Sequence, residues 1–417
     1  MATAKLNMIF QNARLIFPDG IRDGLEVVVE NGKIAAIAEP GHAHAKEVDG
    51  SPPGSPPGSP PSRAAHLRRS APAGFVLDLH GNYLAPGFID LHVHGALGRD
   101  AMEASAEGFQ AACDYHASGG TTSLLLATAT APLDSIADVL SAIRECCCSI
   151  KQIAGVHVEG PFISKAKCGA QRAEFIENPS RASVQQLLDY ADVIKRITIA
   201  PELRGAFEAI ENFHTHGISV SGGHSDAWDE EAQEGFARGM RSVTHSFNCM
   251  SSARRRGIYR VGGLLEFALS EPRISCELIA DGHHVSETLM KMLYRAKGPR
   301  GICLVTDATA GAGLPDKSQF SLFGRDCVVE DGVCLLADHS ALAGSASRMI
   351  DLVRTMVMKV NVPLHEAVMM ATENPARAVG FEAKGCLKVD ADADLVVLSP
   401  ELEVLRTFSS GQEVFSH

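Results

Sequence analysis

The stretch Phe88-Ile89-Asp90-Leu91-His92-Val93-His94-Gly95 reads as one apolar strand that ends in imidazoles, and the chain beyond it repeats that grammar. Further strand candidates lie at 123–127, 154–158, 197–200, 218–221, 242–244, 274–279 and 301–306, which makes eight in all. Helical spacing of apolar residues fills the intervals, over 106–118, 133–150, 183–190 and 202–216. Eight strands separated by helices over roughly 300 residues predict an α/β fold, a TIM-type (β/α)8 barrel covering 76–380. An open doubly wound sheet is the competing fold, but no Gly-x-Gly-x-x-Gly follows a first strand.

Outside this span the text is β-rich at both ends. Asn31-Gly32 between the alternating runs 25–30 and 33–38 predicts a tight hairpin. The same alternation returns at 393–398, 404–407 and 411–414. One small β-sandwich assembled from 1–48 and 381–417 accounts for both ends and brings them together. Between the first part and the barrel, 49–75 carries Ser-Pro-Pro-Gly repeats followed by Arg63, Arg68 and Arg69. It reads as a low-complexity linker insertion, with a proline-motif ligand as the alternative.

Composition narrows the function classes. The 417 residues are 45% hydrophobic and 21% charged, an ordinary globular balance. Lys and Arg number 38 against 50 Asp and Glu, a net charge of −12 without a long basic run, so nucleic acid and anionic membranes are excluded as expected partners. No stretch approaches the ~18 apolar residues of a membrane span, and residues 1–17 lack the unbroken apolar core of a secretory signal. Eleven cysteines, three of them consecutive at Cys146, Cys147 and Cys148, show no paired Cys-x-x-Cys spacing and read as thiols of a reducing compartment. The expected location is the cytoplasm.

In such a barrel, functional residues sit at the C-terminal ends of the strands. His92 and His94, two apart on a strand, point the same way and can grip one cation. His157-Val158-Glu159-Gly160-Pro161 ends the third strand, Gly222-Gly223-His224-Ser225-Asp226 the fifth, Thr244-His245-Ser246-Phe247-Asn248 the sixth and Thr306-Asp307-Ala308 the eighth. A lone histidine at a strand end is usually structural. Five such exits converging on one point are not, and their imidazoles and carboxylates suit Zn²⁺ or a similar divalent ion. Such an ion lowers the pKa of its water from ~15.7 to about 7. Asp307 is then the candidate to orient that water, take its proton and return it to a leaving nitrogen; the plainer reading makes it a helix cap.

Pro86-Gly87-Phe88-Ile89-Asp90 leading into His92-Val93-His94, with Asp307 closing the set, resembles the amidohydrolase superfamily, and within it the branch that deacetylates amino-sugar phosphates. The finer likeness lies in His157 to Phe162, Gly223-His224-Ser225, Thr244 to Met250, Ala280-Asp281-Gly282-His283-His284, Val305 to Ala308 and Leu342-Ala343-Gly344-Ser345, in order from about residue 86 onward. The closing segment 391–398 is also similar to that superfamily's last β segment. The resemblance implies that Glu159, His224 and His245 hold a principal metal, with Asp307 as general acid and base and His284, rather than His283, polarising the acetamide carbonyl. His92 and His94 match positions that hold a second metal in some members, so one or two ions per subunit stay open. Glu159 stands where many relatives use a carbamylated lysine, which weakens dihydroorotase-like and hydantoinase-like readings.

The implied reaction converts N-acetylglucosamine 6-phosphate to glucosamine 6-phosphate and acetate, with N-acetylgalactosamine 6-phosphate or another N-acyl compound as the alternative substrate. A catalytically silent scaffold is the remote reading, opposed by a complete ligand set. Asn248 and Cys249 match a phosphate-holding pair, and Leu342, Ala343 and Gly344 a substrate-contacting run. An arginine, often from a neighbouring subunit, completes the family's phosphate site and implies a homodimer. Here that segment departs to Ser251-Ser252-Ala253-Arg254-Arg255-Arg256-Gly257-Ile258-Tyr259-Arg260, in which Arg256 is nearest in spacing and Arg254, Arg255 or Arg260 could serve. Ala170-Gln171 also departs from the Ala-His of relatives; Gln171 can still hydrogen-bond a sugar hydroxyl, which bears on gluco against galacto discrimination.

Overall fold

The computed structural model describes residues 7–40 and 75–417. The proline-rich insertion expected over 49–75 therefore lies outside the described residues, Phe75 excepted.

Eight parallel strands form the central sheet: β1 (Phe88–Val93), β2 (Thr121–Ala127), β3 (Ile153–Glu159), β4 (Ile194–Ile199), β5 (Ser219–Gly222), β6 (Met240–Val243), β7 (Ser275–Leu278) and β8 (Ile302–Leu304), each paired with the next in chain order. Their apolar runs follow from burial on both faces: every residue of β1 and β2 is buried. The first and eighth strands meet through their ends. Val93 and Ala308 form a parallel bridge, the Asp307 N–H donates to the His92 carbonyl at 2.9 Å, and the His94 N–H donates to the Ala308 carbonyl at 2.8 Å. Asp90 ties the same seam, accepting from the Thr306 hydroxyl at 2.6 Å. That closure puts His92 and His94 beside Asp307.

Helices cover the sheet where the apolar spacing placed them, at Ala106–Ala117, Leu133–Cys146, Arg181–Leu188 and Ala206–Thr215. The second ends earlier than its apolar pattern suggested, because the chain turns after Cys146 and Ile150 reaches the core from a non-helical turn.

Both chain ends contribute to one eight-stranded sheet. Met8–Phe17 pairs with Gly20–Glu30, Phe75–Asp78 and Tyr83–Pro86, and Tyr83–Pro86 pairs with Leu395–Leu398, which leads on to Val404–Ser409 and Gln412–Ser416. Lys33–Ala38 returns on Gly20–Glu30 through Asn31 and Gly32, whose φ values of 53° and 79° are what a tight hairpin turn demands. This sheet has its own apolar cluster, with Phe10 edge-on to Phe408 at 5.2 Å. Tyr83–Pro86 runs straight into β1, so the terminal sheet is joined to the barrel wall.

A four-stranded antiparallel sheet follows β8: Gln319–Leu322, Arg325–Glu330, Val333–Leu336 and Leu342–Ser345. The sequence reading did not anticipate it, since its strands are short and broken by Gly324 and Gly332. Its first hairpin tip carries Phe323, which packs edge-on to His94 at 5.2 Å.

Candidate active site

The strand ends deliver their polar residues to one buried point. Glu159 closes β3, while His224, His245 and Asp307 stand just beyond β5, β6 and β8, with φ values of 45°, 30° and 50°. Left-handed backbone at a non-glycine residue is strained, and such strain concentrates where side-chain aim matters. Here it turns the exits of β5, β6 and β8 inward.

His224 Nδ1 lies 2.7 Å from the Lys167 carbonyl and His245 Nδ1 lies 3.2 Å from the Asn248 carbonyl. A carbonyl can only accept, so each Nδ1 carries a proton and each Nε2 is the ring nitrogen turned inward, the one that can offer a lone pair to a cation. Those two Nε2 atoms are 3.1 Å apart, and they sit 3.2 and 3.1 Å from Glu159 Oε1. Three electron-pair donors at such separations repel unless a cation or proton lies among them. Ligand atoms bound tetrahedrally to Zn²⁺ at ~2.0–2.1 Å are about 3.3 Å apart, so this trio fits a divalent ion. A second trio, His92, His94 and Glu159, shares the carboxylate: the two Nε2 atoms are 3.2 Å apart, and His94 Nε2 is 3.3 Å from Glu159 Oε2.

The electrostatics agree. Burial disfavours the charged forms of His92 and His224, but Glu159, joined by Asp307 at His92 and by Cys249 at His224, outweighs it and holds both well above the usual imidazole range. Burial would raise Glu159 too, yet the surrounding imidazoles, His92 foremost, hold it well below the usual carboxylate range. Asp307 Oδ1 lies 3.6 and 3.5 Å from the Nε2 atoms of His92 and His94; against burial, that proximity lowers its pKa to about 2. Asp307 is therefore a carboxylate at neutral pH.

Above the cluster lies a cavity of ≈ 220 Å³ lined by His94, Glu159, Ala170, Gln171, His224, His245, Asn248, Cys249, His284, Asp307, Leu342 and Gly344, with Thr309, Leu322 and Phe323 closing the wall. His284 Nδ1 meets Asp281 Oδ2 at 2.7 Å, and Asp281 Oδ1 accepts the His284 backbone N–H at 2.9 Å. Burial opposes protonation of His284, but the Asp281 carboxylate raises its pKa above the usual imidazole value. His283 stays exposed and outside the cavity. His92 lies below the cavity floor, and Ala343 is fully buried behind it, with its carbonyl accepting from the Thr309 hydroxyl at 3.0 Å.

Arg256 is not brought to this cavity. Arg254–Arg256 and Tyr259–Val261 form a hairpin in which Arg256 pairs with Glu230 and Arg254 with Asp226, their Cζ atoms 3.9 and 4.2 Å from the centroid of the Trp228 ring. Gly257 turns the hairpin at φ 63°, leaving Ile258 86% and Tyr259 70% exposed. Among the described residues no arginine or lysine lines the cavity.

Two groups beneath the cluster escaped the sequence reading. Glu277, in β7, accepts the His245 backbone N–H at 3.1 Å and faces His92 Nδ1 at 3.6 Å. Arg196, in β4, meets Glu277 and donates to Ser221 at 3.2 Å. From Ser221 a chain of hydroxyls runs through Thr244 and Thr198 to His157. The available signal was a charge inside an apolar strand, Glu277 in Ser275-Cys276-Glu277-Leu278 and Arg196 in Ile194-Lys195-Arg196-Ile197. Asp281, three residues before His284, was visible as part of a quoted motif without a role.

The barrel with its strand-end cluster has the architecture of a metal-dependent hydrolase. The amidohydrolase family profile matches residues 83–414, and the chain belongs to the amidohydrolase family. It is similar to the N-acetylglucosamine-6-phosphate deacetylase of Lysinibacillus sphaericus, 33% identical over 415 residues that cover 98% of this chain and 97% of that one. It is also 32% identical over 342 residues to the N-acetylgalactosamine-6-phosphate deacetylase of Escherichia coli O157:H7, covering 81% of this chain and 89% of that one. The crystal structure of N-acetylglucosamine-6-phosphate deacetylase from Pasteurella multocida superimposes with a TM-score of 0.85 at 31% identity, covering 99% of this chain and all of that one.

Proposed function

We propose that this chain hydrolyses the acetamide of N-acetylglucosamine 6-phosphate to glucosamine 6-phosphate and acetate, in amino-sugar breakdown. The observation that carries the proposal is the convergence of His224 Nε2, His245 Nε2 and Glu159 Oε1 below a cavity that Asp307 and His284 also line.

Glu159, His224 and His245 hold the principal divalent ion in this reading, Zn²⁺ by their donor chemistry, and His92 and His94 serve a second position through Glu159. Such an ion, when bound, acidifies water and withdraws electron density from a carbonyl oxygen. Asp307 takes the proton of the attacking water as oxygen bonds to the acyl carbon. It passes that proton to nitrogen as the C–N bond breaks, so acetate and a free amine leave. Protonated His284, held by Asp281, donates through Nε2 to the acyl oxygen as negative charge develops there.

The substrate's phosphate carries about −1.5 to −2 charges, yet the described residues lining the cavity supply no cationic lysine or arginine. Asn248 and Cys249 contact that phosphate in this proposal, and an arginine of the 254–260 hairpin reaches it from a second subunit, which makes the enzyme a homodimer. Ala170, Gln171, Leu342 and Gly344 face the sugar. Location in the cytoplasm is supported by eleven cysteines that are all free thiols. No helix among the described residues is long and apolar enough to cross a membrane.

The galacto epimer is the second reading, favoured by the Escherichia coli relative. Acetate release from each epimer by purified protein, with and without chelator, tests both. Turnover that is chelator-sensitive and prefers the gluco epimer is expected; turnover indifferent to chelator rejects the mechanism.

A further inference from the structure

Gln171 is only 5% exposed, and its side-chain amide is held at both ends. The Thr130 backbone N–H lies 2.8 Å from Oε1, and since an N–H can only donate, it fixes the amide oxygen on that side. The amide nitrogen must then face Glu159, where it donates to Oε2 at 2.6 Å. Flipping the amide would set carbonyl against carboxylate and N–H against N–H, so Gln171 cannot yield by rotation. The support behind it is tight as well. Gly160, next to Glu159, has φ 79°, and a Cβ there would come within 2.1 Å of the Thr130 hydroxyl.

The two oxygens of Glu159 therefore have different neighbours. Oε1 faces His224 and His245 at 3.2 and 3.1 Å and His92 at 3.4 Å, whereas Oε2, 3.3 Å from His94, already accepts a charge-assisted hydrogen bond. A carboxylate that bridges two cations gives one oxygen to each. A cation that draws on Oε2 from the His94 side must compete with that donor.

We propose that Gln171 is a positioning residue that reserves Oε2 of Glu159, so that the centre holds one divalent cation tightly and a second only weakly. The proposal rests on the metal-site reading above. It also separates the two trios, which by ligand count alone look alike.

The test is a Zn²⁺ titration of metal-stripped protein against a chromophoric chelator, with bound zinc per subunit counted by elemental analysis after gel filtration. Wild type retains one Zn²⁺, and its second step is weaker by about tenfold or more, the scale of one charge-assisted hydrogen bond. In Gln171→Met, which keeps length and loses the donor, the second step tightens by about tenfold while the first changes less than about threefold. Gln171→Asn, too short to span Thr130 and Glu159, behaves the same way, and unchanged melting temperatures of the stripped variants show that folding is not the cause. The proposal is overturned if wild type takes two Zn²⁺ with equal affinity, or if both variants keep the wild-type spacing between steps or weaken both steps together. Absence of any Zn²⁺ binding by wild type overturns the metal-site reading, and this proposal with it.

Discussion

Arg196 Nη2 lies 2.9 Å from Glu277 Oε1, and each side chain is 1% exposed. Burial alone would raise the Glu277 carboxyl, but Arg196, together with His92 and His245, outweighs it and holds that carboxyl below its usual range. The pair thereby keeps an anion under the His245 backbone and the His92 ring. Arg196→Met strands that anion and should cost about 3–5 kcal/mol in urea unfolding. The double variant Arg196→Met/Glu277→Gln should lose less than the sum of its singles; strict additivity would deny the coupling.

Asp307→Asn keeps the shape of the side chain and removes its capacity to accept a proton. Deacetylation should fall by about 10²–10⁴ in kcat, while Zn²⁺ content stays at the wild-type level. Retained turnover would assign the proton transfer to another group.

Asp281→Asn replaces an ionic partner of His284 with a neutral one. Because burial opposes and Asp281 sustains the raised His284 pKa, the variant's imidazole should lose its proton at lower pH. The alkaline limb of the kcat profile should then move to lower pH with KM changed less than kcat. A profile identical to wild type would separate the pair from catalysis.

His116 is buried on Ala106–Ala117, and burial lowers its pKa to about 4. Below pH 6.5 the unfolded chain takes up a proton that folded His116 refuses. Its contribution is full above pH 6.5 and disappears as pH falls toward 4, up to roughly 3 kcal/mol. His116→Phe should flatten the stability profile across that window, and an equal loss of unfolding free energy in wild type and variant between pH 7 and pH 4.5, measured by urea melts, would contradict the assignment.

Ile258→Asp at the hairpin tip places a charge where two copies of the chain are proposed to meet. Light scattering should report a dimer for wild type and a monomer for the variant, whose KM for the phosphorylated substrate should rise by about tenfold or more with loss of a charged phosphate contact.

Much of this architecture was readable from the chain. Parallel strands buried on both faces announce themselves as short apolar runs, and the residues just past them, from His92 to Asp307, are the ones the barrel gathers. Glu277 and Arg196 were not readable, because a charge within a strand looks solvent-facing until the opposite charge arrives from β4 or β7. The arginines at 254–256 read as one cationic cluster, yet hairpin pairing and the Trp228 ring hold Arg254 and Arg256 against carboxylates outside the cavity. The inward aim of His224, His245 and Asp307 depends on positive φ at non-glycine residues, which leaves no compositional trace.

Leu395–Leu398 fills the place beside Tyr83–Pro86 in the terminal sheet. Until the ribosome reaches residue 395, the edge of Tyr83–Pro86 has no mate, and at ~5–20 residues per second that wait is roughly 15–60 s. An open edge is a template for mispairing. Aggregation during synthesis should therefore respond more to chaperones that shield nascent β edges than to anything done to the catalytic barrel.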